Sequence, residues 1–349
     1  MDIFQAITEL TALPGVSGSE ETVCAAVQTW FRRYTDQVWS DPMGNTYARF
    51  GNPDGPTILL MAHMDEIGLM VYDIEEGGLV RICNVAGVDP RVLPGSELMI
   101  YGTEPVKAVV GALPPHLQKA GDVMSNYKIE ELLCDTGLSP EEVKERIRIG
   151  DPVAFAPRPP QKLVNNVIAG KTFDDRACIA ALLEVMDLLK DYKLYANVVV
   201  CASVQEERGM LGSGVGAYHI DPDMAIAIDV CHAPQPGAKP VDYVDFDKVA
   251  ITRGGNIHPK MYEKLRDSAK EQNIAFETDV TISRTGTDAW SIQVQRGGIP
   301  TGLVSLPLRY MHTSVEVISM DTLKNCAKVI AGVVRAIGAD WEETLCLDD

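Results

Sequence analysis

Five short segments of the chain hold the groups whose types and spacing could do chemistry. His63-Met64-Asp65 follows an apolar run at 57–61. A neutral imidazole is a metal donor, and open parallel sheets place ligands at the C-terminal ends of their strands. In extended backbone His63 and Asp65 face the same way, so Asp65 could orient the ring or raise its basicity. Alone, a His-x-Asp pair describes an ordinary hydrogen-bonded histidine better than a ligand.

Asp174-Asp175-Arg176 follows Gly170-Lys171-Thr172-Phe173, ahead of a predicted helix. An exposed turn and helix cap explains the acid pair equally well, but a carboxylate has two oxygens and can bridge two cations. Glu206 and Glu207 end a strand pattern over 198–204 and precede Gly209, Gly212 and Gly214. Two adjacent acids can divide the work of a hydrolase, one ligating metal while its neighbour takes a proton from metal-activated water. A helix N-terminus, where negative charge is favourable, accounts for that pair as well. Asp229 closes the strand pattern AIAID at 225–229, and Tyr310-Met311-His312-Thr313-Ser314 follows another at 303–307. Each segment by itself is open to a structural reading. Together they bring two imidazoles and several carboxylates to strand ends or the loops just beyond, which scattered surface charge would rarely do.

Nitrogen and oxygen donors suit zinc, cobalt or manganese rather than calcium. Two such ions ~3.5–4 Å apart can clamp a water and a carbonyl together. Cys178, Cys201 and Cys231 lie near these motifs, but their apolar strand or helix context favours packing over thiolate chemistry.

The elements that must position these groups can be read in outline. Helices are predicted over 2–12 and 19–33, parted by Pro14-Gly15-Val16-Ser17-Gly18, with Ser19 as N-cap before Glu20 and Glu21. Between about 67 and 164 the texture changes to short alternating stretches such as LMVYDI, ELMIYG and DPVAFAP, broken by GG, PG and PP turn signals. This predicts a separate small β domain. Within it, Ser139-Pro140-Glu141-Glu142 places serine at the N-cap, proline at N1 and glutamate at N3 of one short helix reaching about 148. After 165 helix alternates with strand: a helix near 175–191, strands at 196–204, 223–229 and 300–306, and a last helix capped by Ser319 with Leu323, Ala327, Ile330 and Val334 at helical spacing. The expected fold is α/β, a three-layer, mostly parallel sheet flanked by helices, formed by 1–66 and 165–349 and interrupted by the 67–164 β domain.

A 46% hydrophobic composition over 349 residues allows a large buried core. The net charge of −18 argues against nucleic acid or an anionic membrane as partner, because phosphate contacts need clustered Lys and Arg. MDIFQAITEL has no basic stretch ahead of an apolar core, no apolar run approaches the ~20 residues that cross a bilayer, and the eight cysteines form no CxxC pair. A cytoplasmic protein with reduced thiols is expected.

Nearly the whole chain resembles the tetrahedral (TET) aminopeptidases, also called the glutamyl aminopeptidase or cellulase-M-like family of di-zinc metallopeptidases. The likeness runs through AHMDEIGLMV (62–71), GVDPRVLPG (87–95), PPHL (114–117), DDRAC (174–178), QEERGMLGSG (205–214), AIDVCHA (227–233), GTDAW (286–290) and MHTSVEVIS (311–319). The resemblance implies two divalent ions, zinc with cobalt or manganese as alternatives. One would be held by His63 and Asp229, the other by Glu207 and His312, with Asp174 bridging and Glu206 as general base. It further implies a PDZ-like inserted domain used in dimer assembly, dimers that build a twelve-subunit shell, and short peptides with a free N-terminus as substrates. Arg208 and Cys231 depart from the family's usual residues, an apolar or acidic residue and a threonine. A related di-zinc amide hydrolase, such as a dipeptidase or N-acyl amino-acid deacylase, and a non-catalytic shell-forming scaffold are the alternatives; a glycosidase would need two carboxylates flanking a sugar instead. His116, His219, His232 and His258 read as core or loop histidines, with His232 drawn toward the site by its nearness to Asp229. Asp288 is open between shaping the site and capping a turn.

Overall fold

The computed structural model describes residues 2–347 except 113, 115 and 117–127. Pro115 and Leu117 of the PPHL segment thus lie outside the described residues. Four strands form the middle of an eleven-stranded sheet in the order Asn197–Ser203, Thr57–His63, Met224–His232 and Thr301–Arg309, all parallel. Every residue of Asn197–Ser203 is buried, so both faces of the sheet are covered, as near-continuous apolar runs require. Helices Phe173–Leu189 and Met320–Ala336 pack on each other and on the sheet, while Leu211–Ile220 packs with Asp288–Ile292.

Outside this centre the sheet is mixed rather than mostly parallel. Val38–Ser40 and Thr46–Gly51 continue it antiparallel on one side, and Glu316–Ser319, Val167–Gly170 and Gln161–Lys162 do so on the other. The cause is connection length, since parallel neighbours need a long crossover and a tight turn can only reverse the chain. Asp41, for example, closes the first hairpin by accepting from the N–H groups of Met43, Gly44 and Asn45. A further parallel pair, Val249–Gly254 and Phe276–Thr281, is joined by helix Pro259–Glu271 and attaches to Thr301–Arg309.

Strands Gly68–Ile74, Val80–Ala86, Leu133–Asp135, Pro105–Val110, Glu97–Tyr101 and Pro152–Phe155 close into a barrel in that order. It has a core of its own, including Leu69, Val71, Ile82, Leu98, Ile100 and Val153. Pro105–Val110 alternates exposed and buried residues, the pattern of a strand with one face on a core. Helix Pro140–Arg146 carries the capping box read from Ser139 and Glu142.

The first two helices run over Ile3–Thr11 and Glu21–Phe31. Ser19 does not cap the second, because Glu20 occupies the N-cap position without a side-chain cap bond. The Glu20 carboxylate instead accepts from Gly18 N and Gln205 N, tying this turn to the loop that carries the glutamate pair.

Candidate metal centre

The parallel strands deliver His63, Asp229 and, just past Ser203, Glu206 and Glu207 to one end of the sheet. Asp174 and Asp175 lie at the start of Phe173–Leu189 with non-helical dihedrals, joined by a cis peptide bond. His312 sits in the turn between Thr301–Arg309 and Glu316–Ser319 with φ +62°, a left-handed conformation in which His is enriched among non-glycine residues.

Asp174 lies between the two imidazoles. Its Oδ1 is 3.1 Å from His63 Nε2 and its Oδ2 is 3.3 Å from His312 Nε2. Glu207 Oε1 is 3.5 Å from His312 Nε2, and Glu206 Oε2 is 3.9 Å from His63 Nε2. His63, Asp174 and Glu207 each offer a donor atom within 4.8 Å of the others, and so do His63, Asp175 and Asp229. The groups named from the strand ends, His63, Asp174, Glu206, Glu207, Asp229 and His312, line one cavity of about 350 Å³.

This concentration of acids is costly without a cation. Burial pushes Glu206 up to about 10, opposed by His63 and reinforced by Asp229, Asp288 and Glu207. Burial also raises Glu207 to about 7, with Asp174 adding to the shift, and lifts Asp229 well above the usual carboxylate range. Asp174 is the exception: burial alone would raise it, but hydrogen bonds from His312 and His63 outweigh burial and hold it low. Glu207 Oε1 is buried with no hydrogen-bond partner. Buried charges are ordinarily paired or coordinate metal, and an orphaned carboxylate oxygen beside two imidazoles suits a borderline divalent ion such as zinc. The residues present therefore fit a bound divalent metal.

Asp65 does not line the cavity. Fully buried, it accepts from Ser17 Oγ at 2.5 Å, from Glu206 N at 3.0 Å and from Glu207 N at 3.2 Å, and its Oδ1 is 3.4 Å from His63 Nδ1. His63 Nδ1 also meets the Asp65 backbone carbonyl at 3.2 Å, so residue 65 faces the ring with both backbone and side chain, and its carboxylate holds the backbone of both glutamates. Arg176 carries out a similar task beneath the site. Fully buried, it donates to the carbonyls of Leu10, Leu13 and Met64 and pairs with Glu66, which also meets Lys171.

Two supports were not visible in the sequence. Glu316 accepts from Phe173 N and Asp174 N through Oε2 and from His312 N through Oε1, holding the two loops in register. Gly87, in the loop after barrel strand Val80–Ala86, offers its carbonyl to His312 Nδ1 at 3.1 Å. Arg208 likewise reaches the barrel, donating to Val85 O rather than entering the cavity. A Cβ on Gly87, whose φ is +61°, would meet Ile67 Cγ2 at 2.6 Å and His312 Nδ1 at 2.9 Å. Gly87→Ala is expected to weaken metal binding by about 10–100-fold, the usual effect of losing an outer-shell partner. Calorimetric titration of the metal-free protein would read this, and an unchanged affinity would show that the carbonyl does not hold the ring.

Asp288 is buried behind the cavity wall and accepts from Ser203 Oγ at 2.5 Å. Cys178 and Cys201 are buried and do not line this cavity, whereas Cys231 and the exposed His232 do. His116 and His219 are exposed away from it, and His258 precedes helix Pro259–Glu271.

Comparison with known proteins places the chain among aminopeptidases in sequence and fold. A lysyl aminopeptidase of Pyrococcus furiosus is 33% identical over 330 residues, covering 93% of this chain and 94% of the relative. The solved structure of an aminopeptidase from the archaeon Desulfurococcus kamchatkensis superposes with a TM-score of 0.91 at 31% identity, covering 99% of each chain. The TET1 peptidase of Pyrococcus horikoshii, described as able to assemble into a tetrahedron or a large octahedral shell, superposes at 0.85 with 28% identity, covering 96% of this chain and all of that one. With residues 44–329 matching its defining pattern, the chain belongs to the M42 glutamyl aminopeptidase family.

Proposed function

We propose that the chain is a two-metal aminopeptidase that releases N-terminal residues from short peptides. His63 and Asp229 would hold one ion, Glu207 and His312 the other, and Asp174 would bridge them. The observation that carries this reading is the Asp174 carboxylate turned with one oxygen toward each imidazole, in the same cavity as an acid that neither imidazole binds closely, Glu206. Bound divalent ions would supply polarisation of the scissile carbonyl and a lowered pKa for the attacking water. Glu206 takes the proton from that water and passes it to the departing amine. Asp65 keeps Glu206 and Glu207 at their separate tasks by holding both backbone N–H groups.

The same reading assigns the remaining roles. The β-rich segment 67–164 serves as a PDZ-like dimerisation element inserted between 1–66 and 165–349, and dimers assemble toward a dodecamer. Zinc is the expected ion, with cobalt or manganese as alternatives. Eight free cysteines fit a reducing compartment, and we place the enzyme in the cytoplasm. No helix among the described residues is long and apolar enough to cross a membrane.

The test is amino-acid release from unblocked and N-acetylated peptides, before and after chelation and metal return. Release from free N-termini only, lost with chelator and restored by zinc, cobalt or manganese, is expected. Cleavage of blocked peptides or indifference to chelator would remove the aminopeptidase assignment.

A further inference from the structure

The cavity continues past the metal ligands, and its far wall has a definite character. Val230, Val244 and Leu303 supply buried apolar surface beside the half-buried Cys231, while Asp279 and the more exposed Asp242 supply carboxylates. No lysine or arginine lines it among the described residues.

Asp279 lies on strand Phe276–Thr281, opposite Thr252, whose hydroxyl donates to it at 3.2 Å. Its strand neighbour Glu277 meets Lys248 Nζ at 3.3 Å, but Asp279 forms no ion pair among the described residues. Burial raises its pKa, the Thr252 hydroxyl opposing and Glu277 adding to the shift. A partly desolvated carboxylate at the end of the cavity away from the metal ligands, with no lysine or arginine among the described lining residues, is poorly compensated from within the chain. A ligand that brings an ammonium or guanidinium would supply the missing partner.

The dimensions agree. Asp229 pairs with Ser305, Ser305 pairs with Ala250, and Thr252, two residues on, pairs with Asp279. Three strand spacings of ~4.8 Å and a two-residue step of ~3.4 Å per residue along the strand put the backbone of Asp279 about 16 Å from that of Asp229. A lysyl residue spans about 7–8 Å from carbonyl to ammonium by standard bond lengths. Two metal–oxygen contacts, from Asp229 to the ion and from the ion to the carbonyl, and an ammonium–carboxylate contact would add about 7 Å, so an extended lysine or the longer arginine approaches Asp279 with its methylenes along the apolar wall, and leucine stops well short.

We propose that Asp279 selects peptides whose N-terminal residue is basic, lysine or arginine, an inference that rests on the aminopeptidase reading above. Glutamate at that position would face the like charge of Asp279.

The test compares kcat/KM of the metal-loaded enzyme and of Asp279→Asn and Asp279→Lys on Lys-, Arg-, Leu-, Ala- and Glu-anilides. Lys and Arg substrates are expected to lead Leu by at least about 10-fold and Glu by more, in line with one charged contact. Asp279→Asn should lower Lys and Arg turnover by about 10–100-fold while Leu changes less than threefold, and Asp279→Lys should raise Glu relative to Lys. A wild-type preference for Leu or Glu overturns the inference and leaves the aminopeptidase reading standing, as does an equal loss on every substrate in Asp279→Asn. If no anilide is cleaved, the aminopeptidase reading fails and takes this one with it.

Discussion

Replacing Glu206 by glutamine is expected to lower kcat on short unblocked peptides by about 10²–10⁴-fold, the range lost with a general base, while two metal ions remain bound. Glutamine keeps the shape of the side chain and cannot take a proton. The backbone N–H of residue 206 still donates to Asp65 Oδ1, so the loop stays where it is. The outcome turns on the division of labour within the adjacent pair. Glu206 Oε2 stands 3.9 Å from His63 Nε2, whereas Asp174 Oδ1 is 3.1 Å from the same atom and Glu207 Oε1 has no hydrogen-bond partner to lose. Steady-state kinetics alongside elemental metal content separates the roles. A loss of metal in Glu206→Gln would make it a ligand, and a kcat within threefold of wild type would remove it as the base.

The parts of this site that could be read from the chain share a physical basis. An apolar run long enough for a buried strand ends where the backbone leaves the core, and a histidine or carboxylate there is conspicuous against it. His63, Asp229 and Glu206-Glu207 were legible for that reason. Glu316 was not, because its bonds go to backbone N–H groups, two of them 142 and 143 residues away, and a backbone amide carries no residue type to notice. The same holds for Gly87, whose contribution to His312 is a carbonyl oxygen. The strand order suffered differently: apolar periodicity says that a segment is buried but not which way its neighbour runs, so the antiparallel flanks of the sheet came from hairpins such as Thr301–Arg309 with Glu316–Ser319. Helix Pro259–Glu271 was missed although Met261, Leu265 and Ala269 recur at helical spacing with proline in the first turn. Its lysines and glutamates mask the stripe in a composition-led reading.

Asp174→Asn is expected to reduce bound metal from two ions per subunit to one or none and to lower kcat/KM by on the order of 10³-fold or more, since clamping both reacting oxygens needs both ions. The substitution leaves the loop in place, because Glu316 holds the backbone N–H of residue 174 rather than its side chain. What it removes is the second oxygen and the negative charge that face two rings at once. Asp175→Asn is the informative control. Asp175 also falls within 4.8 Å of donor atoms on His63 and Asp229, so proximity alone leaves either acid of the pair as the bridge. Occupancy separates them: Asp175 Oδ2 already accepts the His63 N–H at 3.2 Å, whereas both oxygens of Asp174 face imidazole nitrogens. Asp175→Asn should therefore keep two ions and lose stability instead, through a disturbed buried hydrogen bond. The reverse pattern, metal lost from Asp175→Asn and kept in Asp174→Asn, would move the bridge by one residue. It would also detach His312 from the His63 half of the centre, because Asp174 is the group whose two oxygens face both rings.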